Sequence, residues 1–272
     1  MSSGDAERAA TLGARAPAAG PLITRPLLRP LAWLVLQVLL LGLGLGSLVW
    51  NAVAWLLLPL LGRERGRRFG RAAIAYGYAL FWRAARISGL LRMDARALDE
   101  LADEPGLIVV ANHPSLLDAL MLVARLPRSA CVMKASLARN PFLGAGARLA
   151  RYIRNDSTVG MVRLAVADLQ QGGQLVLFPE GTRTTQRPLN PFHSAVGLIA
   201  KRARAPVQAV FIDTDSPYLG KGWPLWRLPP LPIVFTVRLG RRFEPADDPQ
   251  VLQQELEDHF TAGVQRTPPR SR

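Results

Sequence analysis

From Leu31 to Leu61 the chain carries no charged residue, and its only strongly polar side chains there are Gln37, Ser47 and Asn51. A run of that length and composition is membrane sequence. As one helix it would extend about 46 Å, beyond the roughly 30 Å of a hydrocarbon core, so either tilt or a break at "GLGLGS" (42–47) or Asn51 is expected. Gly42 and Gly46 have the spacing that lets helices pack closely. A second helix is expected over about 66–91, with Phe69, Ala73, Tyr76, Leu80 and Ile87 on one face and Arg68, Arg71, Arg83 and Arg86 on another. Such a helix lies at a membrane interface, packs on a globular domain, or does both.

The pattern changes from residue 107. "LIVVA" reads as a strand, 115–126 as a helix, "ACVMK" as a strand, and 140–150 and 158–171 as helices. "QLVLFPEG" is again a strand, 194–204 a helix, "VQAVFI" and "PIVFTVRL" strands, and 248–264 a final amphipathic helix. Short apolar strands alternating with helices predict an α/β fold: a mixed, largely parallel sheet covered by helices on both faces. The expected layout is a small-residue, Pro/Gly-rich disordered tail at 1–26, a membrane-associated helical segment at 27–92, an α/β domain at 93–264 and a basic tail at 265–272.

Composition adds a partner class. Thirty-four basic against 20 acidic residues give a net charge of +14, and only three of the basic residues are lysines (134, 201 and 221). Such a surface favours anionic partners: phospholipid head groups, nucleic acid, phosphorylated substrates or an acidic carrier protein. Cys131 is the sole cysteine, which excludes an intrachain disulfide and suits a reducing compartment. It reads as a small buried hydrophobe rather than a nucleophile. The apolar run is too long and starts too late for a cleaved signal peptide. Basic residues flank it on both sides, with Arg25 and Arg29 before and Arg63, Arg65, Arg67, Arg68 and Arg71 after. A re-entrant hairpin or a single span then both leave the main domain in the cytoplasm.

Candidate chemistry begins at "ANHPSLLDAL" (111–120), where the buried strand ends in Asn-His-Pro and holds one of three histidines. On one helix, five residues turn through about 500°, so His113 and Asp118 meet only if His113 lies in the turn before the helix. Pro114 suits a first helical position. Asp118 then accepts from one imidazole nitrogen, fixing the tautomer, and the other nitrogen is left as a base. The alternative is a capping histidine beside a solvated aspartate. "LVLFPEGTR" (175–183) likewise opens from a strand's end into polar residues: Arg183 is a fork suited to phosphate, Gly181 permits a tight turn, and Glu180 either holds that arginine or contacts a hydroxyl. The Walker A, GxSxG, HExxH and CxxC patterns are absent, so the corresponding nucleotide, serine-hydrolase and metal chemistries lack their residues.

NHPSLLD together with FPEGTR, 65 residues apart from His113 to Phe178, resembles the lysophospholipid acyltransferase family that includes 1-acylglycerol-3-phosphate acyltransferases. The resemblance covers roughly residues 100–215, and the preceding apolar segment resembles the family's membrane-binding helices. It implies that His113 is the general base that deprotonates an acceptor hydroxyl for attack on an acyl thioester, with Asp118 orienting it. It implies that Glu180, Gly181, Thr182 and Arg183 shape the acceptor site, with no metal and no covalent acyl-enzyme. Three blocks depart from the family. Aligning Tyr152 and Ile153 with the usual Phe-Ile of Gly-x-x-Phe-Ile-x-Arg puts Asn155 where the arginine stands, with Arg151 and Arg154 as neighbouring substitutes. "APVQAV" keeps Pro206 but has Ala209 at the place of a second proline, and His193 in "PFHSA" reads as an exposed loop residue.

The expectation is a membrane-bound O-acyltransferase. It moves a fatty acyl group from acyl-CoA or acyl carrier protein, as co-substrate without a cofactor, to a lysophospholipid hydroxyl, foremost 1-acylglycerol-3-phosphate. Lys134, Arg151 and Arg154 are candidates for acceptor phosphate or the donor's anionic parts; the alternative for them is a solvated basic surface. The expected location is the inner membrane of a bacterium with the catalytic domain facing the cytoplasm and membrane phospholipid, not nucleic acid, as partner. The departures leave open an acceptor from a specialised-lipid or aryl-polyene pathway. A thioesterase, with water in place of the alcohol, is a further alternative, and a non-enzymatic anionic-membrane or nucleic-acid binder explains the charge but not the paired motifs.

Overall fold

The computed structural model describes residues 25–186, 188–192 and 195–265; His193 and the greater part of both expected tails lie outside these residues. The first long element, helix α1 (Arg29–Leu57), is unbroken. Neither the glycine-rich stretch nor Asn51 interrupts it. The Asn51 side chain donates to the carbonyl of Ser47 within the helix and to that of Phe142, and its oxygen accepts from Gly146 N at 2.9 Å. A polar residue in an apolar helix is thus fully used as a contact point. Pro26–Leu57 is long and apolar enough to cross a membrane, with a mean hydropathy of 2.1 in its most apolar stretch and only 11% of that stretch buried.

Helix α2 (Arg63–Ile87) stops short of the expected residue 91 because Gly89, at φ +72°, turns the chain out in the left-handed conformation that glycine adopts without strain. Its exposed face carries Phe69, Tyr76, Leu80 and Ile87 as expected. The arginine face divides: Arg68, Arg83 and Arg86 are exposed, whereas Arg71 is buried, as is Arg67 of the basic flank. The reason is Asp168, whose Oδ1 accepts from Arg71 at 2.7 Å and from Arg67 at 3.3 Å, while Arg71 also donates to the carbonyls of Ala150 and Arg128. A buried guanidinium persists only with such partners. Gly70 lets α2 come this close, since a Cβ there would sit 2.7 Å from Ala150 N.

The sheet begins at β1 (Leu91–Asp94), straddling the boundary expected at residue 93, and continues through β2 (Ile108–Ala111), β3 (Ser129–Met133), β4 (Ile153–Arg154), β5 (Gln174–Leu177), β6 (Val207–Asp213) and β7 (Ile233–Phe243). The spatial order is β1-β7-β6-β2-β5-β3-β4; every neighbouring pair is parallel except β6 with β7. The mixed, largely parallel sheet is therefore as the alternating pattern predicted. The intervening helices are α3 (Leu117–Arg125), α4 (Gly144–Leu149), α5 (Thr158–Gln170), α6 (Val196–Ala203) and α7 (Pro249–Gln265).

Two cores explain why the central strands are apolar throughout. Val109 and Ala111 of β2, Val176 of β5 and Val210 of β6 pack with residues of α1, α2 and α3. Their alternates Ile108, Val110, Leu175, Leu177 and Ala209 pack with α5, α6 and α7. Strands covered on both faces read as continuous hydrophobic runs, and their carboxyl ends open a crevice along one edge.

Candidate active site

β2 and β5 are parallel neighbours, so the turns that follow them emerge side by side at the carboxyl edge. Past Ala111 the main chain leaves the sheet, but the Asn112 side chain continues the ladder: its amide donates to Ile212 O at 2.9 Å and its oxygen accepts from Ile212 N at 2.8 Å. This side-chain mimic of a peptide fixes where His113 starts. Ser115 N then donates to Asp118 Oδ2 at 2.7 Å, the reach-back of a first-turn acid to the residue that opens a helix.

His113 sits in that turn, and its Nδ1 lies 2.9 Å from Asp118 Oδ2. The imidazole stacks on Phe178, with ring centroids 4.0 Å apart and planes 19° from parallel. Asp118 is fully buried, and burial pushes its carboxyl up to about 6 against the lowering pull of His113 and of Ser115 N–H. Oδ1 has no hydrogen-bond partner among the described residues, so the carboxylate is only half satisfied. At neutral pH the ionised carboxylate accepts the Nδ1 proton as its hydrogen bond, and Nε2 has no hydrogen-bond partner among the described residues. The side chain is 15% exposed.

The turn after β5 contributes differently. Glu180, expected to hold Arg183 or to contact a hydroxyl, is 2% exposed. Its Oε1 accepts from His113 N at 3.1 Å and Thr184 Oγ1 at 2.7 Å, and its Oε2 from Asn190 N at 3.0 Å. Thr184 N donates to His113 O at 2.8 Å, closing the tie between the two turns. Glu180 is thus a brace under the histidine backbone, because burial would penalise a carboxylate left without donors. Gly181, at φ +65° with open space around it, supplies the turn and exposes its backbone; Thr182 is half-buried beside it. Arg183 Nη1 donates to the carbonyls of Leu219 at 2.8 Å and Gly220 at 3.0 Å. One prong of its fork is therefore held by the β6–β7 connection.

Lys134, Arg151 and Arg154 are not gathered at His113. Lys134 follows β3, Arg151 precedes β4 and Arg154 ends it; these strands lie two and three places from β2, about 10 and 15 Å at the usual strand spacing. Arg151 and Arg154 instead line, with Arg67 and Arg148, a cavity of about 360 Å³. Arg154 pairs with Asp156 at 3.2 Å, and Arg151 holds a positive φ of 56°. Partial burial, then the neighbouring guanidinium groups of Arg63, Arg67 and Arg71, lower the pKa of Arg151, so the field there is positive.

Sequence reasoning passed over Phe178, Asn112, Ser115, Asn190 and the Tyr218–Gly220 backbone. Phe178 stands inside the FPEGTR block and was available as an aromatic at a strand end. Asn112 and Ser115 likewise stand inside NHPSLLD, but their partners Ile212 and Tyr218 lie 100 and 103 positions away, and Asn190 meets Glu180 through its main-chain nitrogen.

With this geometry in place, the family model described as Acyltransferase matches residues 92–213, from the first strand through β6 and across both turns. Residues 92–213 are thus similar in sequence to the acyltransferase family. The chain is 32% identical over 152 residues to a lyso-ornithine lipid O-acyltransferase of Pseudomonas aeruginosa, a match covering 51% of the chain and 58% of that protein. It is 23% identical over 189 residues to a 1-acyl-sn-glycerol-3-phosphate acyltransferase of the same organism, covering 66% and 71% respectively. The crystal structure of the 1-acyl-sn-glycerophosphate (LPA) acyltransferase PlsC from Thermotoga maritima superposes with a TM-score of 0.65 over 89% of this chain and 97% of that one, at 21% identity. That likeness establishes the fold.

Proposed function

We propose that the chain transfers a fatty acyl group from a thioester to a hydroxyl of a lysolipid, with His113 as general base and Asp118 as its orienting partner. The observation that carries this reading is the pairing of His113 Nδ1 with a buried, half-satisfied carboxylate while Nε2 stays unengaged. Nε2 takes the acceptor hydroxyl proton as its oxygen attacks the thioester carbonyl carbon. The tetrahedral intermediate expels the thiolate, which takes the proton back from His113, and an ester and a free thiol leave. As imidazolium forms, the adjacent carboxylate gains an ion partner in a water-poor site, where that interaction is stronger than in bulk water. The co-substrate is acyl-CoA or acyl carrier protein, and the reaction as written uses no cofactor.

For the acceptor, 1-acylglycerol-3-phosphate is the first reading. A lyso-lipid without a glycerophosphate, of the kind the P. aeruginosa relative is named for, is the second. What favours the second is specific: Arg183 spends Nη1 on two carbonyls, and Asn155 stands where the family's arginine is usual. Steady-state assays of the purified full chain with lysophosphatidate and lyso-ornithine lipid, each with acyl-CoA and acyl carrier protein, decide between them. Thiol release without either lysolipid, and no ester formed, would leave a thioesterase.

The membrane reading is also a proposal. Trp33 Nε1 donates to Trp226 O at 2.7 Å, and Asn51 contacts Phe142 and Gly146. These positions are about 27 Å apart along α1. The domain thus flanks α1 over nearly the depth of a hydrocarbon core, which supports α1 lying in the membrane plane with its free apolar side in lipid, on the cytoplasmic leaflet, rather than spanning.

A further inference from the structure

Between β6 and β7 the chain runs through "TDSPYLGKGWPLWRLPPLP" (214–232), a connection with no helix or strand. At its tip Leu225 is 54% and Trp226 74% exposed. Single exposed apolar side chains are ordinary on a protein surface. These two are not isolated, because Trp33 and Gln37 of α1 donate to the carbonyls of Trp226 and Leu225. Those bonds fasten the tip beside the first turns of α1, where Leu31 and Leu34 are also exposed, and join both into one apolar surface. The same two segments carry exposed cations: Lys221 and Arg227 on the connection, Arg29 at the start of α1 and Arg25 just before it. Arg227 also lies 5.0 Å over the Trp223 ring. Apolar tip, tryptophans and flanking cations are the composition of a membrane–water interface.

The base of the same connection grips the catalytic turn. Tyr218 O accepts from Ser115 Oγ at 3.0 Å, and Leu219 O accepts from Leu116 N at 3.0 Å and from Arg183. Leu219 is a buried leucine at φ +55°, a conformation that persists only where surrounding contacts enforce it.

We propose that Leu225 and Trp226 insert into the lipid surface beside α1, and that the connection sets the height of the His113 turn above the bilayer. The occupant is a bilayer because the patch is continuous with a helix of membrane composition and both segments that form it carry exposed cations. The proposal rests on the membrane reading of α1 given above, and the test separates the two. Cys131 is buried, so an exposed cysteine introduced into the full chain is labelled selectively. Trp226→Cys, Val38→Cys on the free face of α1, and Val251→Cys on α7 across the sheet each receive a polarity-sensitive fluorophore. Each is checked for an unchanged melting temperature and mixed with phosphatidylcholine–phosphatidylglycerol vesicles. The expected result is a blue shift at 226 and 38 and none at 251. A shift at 38 without one at 226 overturns the proposal and leaves α1 as the membrane element; no shift at either overturns both. An equal shift at 251 shows general adsorption and overturns the assignment to this surface. Leu225→Ser with Trp226→Ser is further expected to raise KM for a vesicle-borne acceptor roughly tenfold, the loss of about one decade of surface affinity. It should leave turnover of a short-chain acceptor free in solution unchanged, and an equal loss on both acceptors also counts against the proposal.

Discussion

Two buried carboxylates stand at the ends of adjacent parallel strands, and they are satisfied to opposite degrees. Glu180 accepts three hydrogen bonds across both oxygens, whereas Asp118 accepts through Oδ2 alone and leaves Oδ1 bare. A carboxylate whose lone pairs are filled holds its neighbours in place. One that is starved of donors is raised in pKa and gains whenever positive charge appears beside it. The same side-chain chemistry therefore serves as scaffold in one turn and, in the proposed mechanism, as partner to a proton acceptor in the other.

The largest expected effects break the acid–base side of this contrast. His113→Ala and Asp118→Asn should each lower turnover by roughly 10²- to 10⁴-fold, the usual range for a general base and its orienting group. The melting temperature at pH 7 should not fall for Asp118→Asn, because the substitution removes a buried charge rather than a brace. Steady-state kinetics beside thermal melts check this, and turnover near wild type in folded His113→Ala would refute the mechanism.

Glu180→Gln should behave in the opposite way. One oxygen becomes an NH₂ facing a donor, which costs about 1–3 kcal/mol, so stability and activity should decline together. A calorimetric melt that stays at the wild-type temperature while turnover collapses would move Glu180 into the chemistry.

Acidity sharpens the comparison. Asp118 is raised from 3.8 to about 6 in the fold, so between those values the native chain keeps a proton that the unfolded chain releases. Its contribution to stability accordingly diminishes as pH rises through that window, whereas turnover climbs through about pH 6 as the carboxylate ionises. Asp118→Asn should lose this dependence in pH-resolved melts, and Glu180→Gln should keep it.

The smallest effect is expected for Arg183→Lys. Its Nη1 ties the turn to Leu219 and Gly220, so losing the fork should cost about 1 kcal/mol of stability and slow all acceptors alike. A selective drop in kcat/KM for lysophosphatidate would instead return Arg183 to the recognition of phosphate.

The parallel sheet was legible because Ile108–Ala111, Gln174–Leu177 and Val207–Asp213 are covered on both faces and so lack alternation. The turn holding His113 was legible because a five-residue spacing cannot place two side chains together on one helix. The bracing contacts of Glu180 are less legible: it meets a hydroxyl, that of Thr184, but its other partners, His113 N and Asn190 N, are main-chain atoms that leave no mark on residue identity. The inward turn of Arg71 on α2 is illegible for a related reason: Asp168, which draws Arg67 and Arg71 into the core, lies 101 and 97 positions away respectively. The two-residue strand β4 carries too short a pattern to stand out from the helices around it.

The stacking of His113 on Phe178 has a further consequence. An imidazole fixed at one edge by Asp118 and across one face by an aromatic ring has lost the rotation about both of its side-chain bonds before any substrate arrives. In the proposed mechanism, orienting the base is thus accomplished once, during folding, and not repeated in each catalytic cycle. A ring freed by Phe178→Ala would have to be ordered at every encounter, so the slower turnover should appear as a more negative activation entropy, with the activation enthalpy little altered.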